Sequence, residues 1–134
     1  MRIAISAAAL ALAAVSLAAS TPSPLGPPPP EGAALPKDHC IVARDVGATS
    51  VVDQNTLLLS ATGRNRGLYR LTMGNGCLRS SVSSEQLGFR YFSGDRICAP
   101  HDFALTARSG LCHVISIVKL TPEEAAALPR KLKP

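Results

Sequence analysis

The chain has 134 residues, a formal net charge of +5, four cysteines and five aromatic residues, none of them tryptophan. That length accommodates one small domain, and so few aromatics, all wanted in its core, argue against a nucleic-acid reader built on stacked rings. The basic excess suits anionic partners and specifies none.

A positive charge at Arg2 precedes an apolar run from Ile3 to Ala19 that ends in small residues. This order predicts a secretory signal peptide over residues 1–20, with the mature chain starting at Thr21. The apolar run is at the short limit for a membrane span, so no span is expected after processing. Residues 21–37, TPSPLGPPPPEGAALPK, predict an extended, mobile tether, because proline removes backbone donors and favours polyproline conformation. Residues 38–124 are the expected domain, and 125–134 the end of a helix followed by a disordered basic tail.

Within the domain, Cys40 to Val46 is β-branched and predicts a first strand that stops at Gly47. Asp53, Gln54 and Asn55 predict a tight turn, since Asp and Asn bond their own backbone. Leu57, Leu58 and Leu59 do not alternate, which predicts a strand covered on both faces. Gly63-Arg-Asn-Arg-Gly67 reads as a hairpin loop. After it, Tyr69, Leu71 and Met73 share one face of a strand, and Leu68, Arg70 and Thr72 the other. Residues 80–86 predict a loop. A short strand at Phe89 to Phe92, a turn at Ser93 to Asp95 and a stop at Pro100 follow. Phe103, Leu105 and Ala107 form one strand face, and Leu111 to Leu120 is a long β run. Thr121, Pro122 and Glu124 predict a helix start with a capping box. The expected fold is mainly β: a small antiparallel barrel or sandwich with a short C-terminal helix.

All four cysteines, Cys40, Cys77, Cys98 and Cys112, fall inside the domain. In a small exported protein this predicts two disulfides. Tying the first strand to the last gives Cys40–Cys112, with Cys77–Cys98 closing the polar loop; the competing pairing is Cys98–Cys112 with Cys40–Cys77. His39, Cys40, Cys112 and His113 would make a zinc site only if neighbouring strand residues faced one ion, and they point to opposite faces. No metal and no cofactor is expected. The serines show no nucleophile-elbow or Ser-x-x-Lys pattern. His101 and Asp102 are sequence neighbours, with Asp102 expected to start a strand or turn, so no catalytic residue is assigned.

Arginine carries what functional signal there is. Arg64 and Arg66 flank the hairpin tip, Arg70 follows, and Arg90 and Arg96 bracket another turn. Guanidinium forks hold carboxylates and phosphates in pairs, which makes these five residues anion-binding candidates.

The order of CIVARDV at 40–46, VVDQNTLLL at 51–59, GRNRGLYRL at 63–71, LGFR at 87–90, GDRIC at 94–98 and CHVISIVKLTPEE at 112–124 resembles an uncharacterised family of small secreted proteins of Gram-negative bacteria, catalogued as a domain of unknown function. The resemblance covers nearly the whole domain and implies a periplasmic address without an activity. The functional expectation is a non-enzymatic periplasmic binding or interaction module for an anionic cell-envelope component. The competing expectation is a structural or inhibitor-like domain acting on a periplasmic protein.

Overall fold

A computed structural model describes residues 24–79 and 87–134. The predicted signal peptide, the start of the tether and the loop at 80–86 lie outside the described residues.

The chain is mainly β, with a curled antiparallel half-barrel sheet and one short C-terminal helix. Its strands are β1 (Ile41–Val42), β2 (Val46–Val51), β3 (Thr56–Ala61), β4 (Gly67–Met73), β5 (Gly88–Tyr91), β6 (Arg96–Ile97), β7 (Phe103–Ala107) and β8 (Gly110–Lys119), followed by helix α1 (Pro122–Ala127). Six strands pair in the order β2-β3-β4-β8-β7-β5, and β1 with β6 forms a separate two-stranded ribbon. The expected single strand at 40–46 is thus corrected: a 3-10 turn at Ala43–Asp45 breaks it into β1 and the start of β2.

The first two hairpins follow from their turn residues. Asp53 Oδ1 accepts from the Asn55 backbone N–H at 2.8 Å, the local bond that turns β2 into β3. At the next turn Gly63 has φ +71° and Gly67 φ +149°, left-handed values that glycine alone adopts freely. A Cβ at Gly67 would also sit 2.7 Å from Lys119 Cε.

The leucine triplet of β3 is covered on both sides, as its lack of alternation predicts. Leu57 and Leu59 join Tyr69, Leu71, Met73, Phe103, Leu105 and Ile117 in the main core, together with Ile41 and Ile97 from the ribbon. Leu58 faces the other way, into a second cluster with Leu25, Leu120 and Leu128. Leu128 there is the residue that ends the helix, which begins as expected, with Thr121 and Glu124 capping each other's backbone N–H groups. The basic tail is not a free end: Arg130–Leu132 forms a 3-10 turn, and Leu132 packs on the same cluster.

The proline-rich segment corrects its expected role most clearly. Residues 24–36 are a docked strap, not a tether. The first four residues of β8 pair with β7, and the rest with β4. Beyond His113 one edge of β8 therefore lacks a strand neighbour. The strap fills it: Gly32 N–H donates to Ile115 O at 2.8 Å, and Ile117 N–H donates to Ala33 O at 2.9 Å. Leu25 is buried on the outer sheet face and Leu35 in the main core, so the strap wraps around that edge. Proline cannot donate along a ladder, but its neighbours Gly32 and Ala33 can pair, and leucines at both ends bury apolar surface.

Candidate functional site

The hairpin end of the molecule gathers arginines because three remote segments are fastened there. Asn65, at the loop centre, donates through Nδ2 to Cys40 O at 2.7 Å and to Asp38 O at 3.3 Å. The Tyr69 hydroxyl donates to Asn65 O, and Thr62 N–H donates to Asp45 O at 2.9 Å. The loop is thereby tied down to β1 and to the turn after it. Pairing of Val42 with Arg96 brings β6 alongside.

These bonds frame a hollow of about 390 Å³ lined by Arg44, Arg64 and Arg96, with Asp38, Asp45 and Asn65 between them. All three guanidinium-bearing residues are exposed, and among the described residues none forms an ion pair. A side chain at Gly63 would collide with the Asp45 carboxylate, so glycine keeps this wall open. The hollow has three positive and two negative groups, one net positive charge.

The five sequence candidates do not form one patch. Arg64 and Arg96 meet in the hollow. Arg66 is exposed at the same tip but does not line it. Arg90 lies on β5 with its guanidinium 5.8 Å from the Phe92 ring centre, a cation–π contact. Arg70 is corrected outright: it is only 5% exposed, beneath the strap, where Nη1 donates to Leu25 O and Pro27 O, both at 3.0 Å. Arg44 was missed. It stood inside a run that read as a strand, and only the turn at Ala43–Asp45 swings it out.

The disulfides are Cys40–Cys98 and Cys77–Cys112, which corrects both the nested pairing and its competitor. Cys40 does not reach the last strand because β1 pairs with β6, not β8. Continuing the register of Ile41 opposite Ile97 by one residue sets Cys40 against Cys98, with Cα atoms 4.5 Å apart. Cys77 sits in the turn after β4, whose neighbour is β8, and so meets Cys112.

Asp102 serves the backbone. Its Oδ2 accepts from Cys98 N–H at 2.7 Å and Ala99 N–H at 2.8 Å, holding the 3-10 turn Pro100–Asp102 that leads into β7. His101 Nε2 lies 3.7 Å from its other oxygen, but that imidazole is exposed. Burial pushes the Asp102 carboxyl upward, and the two N–H groups, Ser93 and nearby His101 outweigh it, leaving it below the ordinary range.

No helix among the described residues is long and apolar enough to cross a membrane. The two disulfides fit an oxidising, non-cytoplasmic compartment. No family model, curated protein or solved structure matches the chain.

Proposed function

We propose that the chain is a non-enzymatic binding module of the periplasm whose hairpin end takes an anionic group of the cell envelope. One observation carries this reading: Arg44, Arg64 and Arg96 converge on one hollow without forming ion pairs. Surface arginines usually cost little wherever they stand, but three around one concavity, set against the two carboxylates of Asp38 and Asp45, leave a net positive charge on a small volume. Phosphates and carboxylates match the guanidinium fork.

The test is cosedimentation of the protein with vesicles carrying lipopolysaccharide, against neutral vesicles. Binding is expected to fall steeply with salt, because screening shortens to about 8 Å at physiological ionic strength. Arg64→Ala combined with Arg96→Ala should remove it, while Arg66→Ala should change it little. Equal binding to neutral vesicles, or no effect of the double variant, would overturn the reading.

A second reading, a domain that blocks a protein partner, draws on Phe92. This ring is 50% exposed beside Arg90, and aromatic and arginine side chains anchor protein interfaces. Capture of one periplasmic protein in equimolar amount, lost in Phe92→Ala, would favour it.

A further inference from the structure

The strap and the outer sheet face enclose a second cleft, remote from the hairpin hollow, of about 770 Å³. That size falls within the range of small-molecule sites. Its floor is β4, through Arg70, Thr72 and Met73, with Ile115 of β8 beside them; the strap contributes Pro28, Pro29 and Glu31, and the first hairpin turn contributes Asp53 and Asn55.

Arg70 is the feature that the fold leaves unexplained. A buried guanidinium is costly unless its charge is met by an ion partner and its donors are filled. Among the described residues Arg70 forms no ion pair. Its Nη1 is occupied by the two strap carbonyls, but Nε has no partner. Thr72 lies two residues along the same strand face, is 8% exposed, and its buried hydroxyl is likewise without a partner. The Ser116 hydroxyl, opposite Thr72 in the register, shares that state. One edge of a buried guanidinium and a buried hydroxyl are thus left over at one cleft. Burial lowers the Arg70 pKa, and the fields of Asp53 and Glu124 work against that fall; among the described residues no carboxylate pairs with this cation, and its Nε is left unpaired beneath the strap.

We propose that this cleft binds a small zwitterion, an α-amino acid or a short peptide, with its carboxylate on the Nε edge of Arg70 and the Thr72 hydroxyl. A carboxylate fits that edge through two parallel N–H bonds. Asp53 and Glu31 in the same wall disfavour a doubly charged phosphate and receive the ammonium group. The strap forms the roof and seals these atoms from solvent, so the ligand enters as the strap lifts and is held when it docks again.

Isothermal titration of the purified protein with alanine, dialanine, acetate and ethylamine tests this. Alanine or dialanine should bind, and whichever binds more tightly identifies the ligand length. Acetate and ethylamine, each with half of the charge pattern, should bind at least about tenfold more weakly. Thr72→Val, which keeps shape and removes one hydrogen bond to a charged group, should weaken binding about tenfold without lowering the melting temperature, since the hydroxyl it removes is buried and unpartnered in the free protein. Arg70→Lys should abolish binding, and if that variant melts early, Thr72→Val decides. Arg64→Ala should leave the affinity unchanged, which separates this site from the hairpin hollow. Absence of binding by both zwitterions, equal binding of alanine and acetate, or unaltered affinity in Thr72→Val would overturn the proposal.

Discussion

Asp102 shows how much one carboxylate holds in place. It fixes the N–H groups of Cys98 and Ala99, and Cys98 is one half of the disulfide that anchors β1. Asp102→Ala strands two donors beside the core, so it should destabilise the fold by about 3 kcal/mol in chemical denaturation. The pH dependence has a definite sign. A carboxyl whose folded pKa is depressed contributes stability that is fully present above its unfolded value near ~3.9 and is lost as pH falls through the lower folded value. The wild-type protein should therefore lose stability on acidification below about pH 4, and Asp102→Asn should flatten that dependence. Identical acid profiles for the two proteins would refute the assignment. Arg70 gives the complementary lesson about legibility. Alternation correctly places it opposite Tyr69, on the Leu68 face. Whether that face meets water or a second layer is invisible in the strand itself, so Arg66 and Arg70 look alike in the sequence and end in opposite environments.

At the scale of elements, local chemistry was legible and remote pairing was not. The hairpin at Gly63–Gly67, the faces of β4 and β7, the covered leucines of β3 and the capping box of α1 each rest on residues within a few positions of one another. The ribbon of β1 with β6 joins segments more than fifty residues apart, and two-residue strands carry no periodicity to read. The strap was misread for a related reason. Proline excludes helix and sheet interior, but it does not prevent flanking residues from docking along an edge that another strand vacates. Leu35 tests this role. It is 7% exposed and belongs to the main core, so Leu35→Ala should cost about 2–4 kcal/mol of stability, the range for a buried leucine truncated to alanine. A mobile tether would show no measurable change in the denaturation midpoint. The same strap places Pro28 and Pro29 over Arg70, so the element that closes the sheet edge also roofs the zwitterion cleft.

Considered as a whole, the molecule is a half-barrel whose open side and exposed edge are closed by pieces that have little core of their own. The ribbon contributes Ile41 and Ile97 to the main cluster, and the turn after β4 contributes Leu78. Both pieces are held by a disulfide: Cys40–Cys98 closes the ribbon on itself, and Cys77–Cys112 ties the turn to the long strand β8. Sequence separations of 58 and 35 residues correspond on the loop-entropy estimate to about 4 kcal/mol each, a large share of the stability of a domain this small. The arginine hollow depends on the first bridge in particular, because Cys40 O is the acceptor that holds Asn65 and Cys40 itself lines the wall. Trypsin resolves the pairing completely, since cleavage after Lys37, Arg44, Arg70, Arg79, Arg96, Arg108 and Lys119 puts the four cysteines on four peptides, 38–44, 71–79, 97–108 and 109–119. Non-reducing digestion should give 38–44 joined to 97–108, and 71–79 joined to 109–119. A peptide joining 38–44 to 109–119 would mean that β1 pairs with the last strand instead, and would displace the ribbon from the fold. Replacing Cys40 and Cys98 together by Ala should then loosen the hairpin end and weaken vesicle binding, whereas replacing Cys77 and Cys112 should lower stability by a similar amount with the arginine hollow left intact.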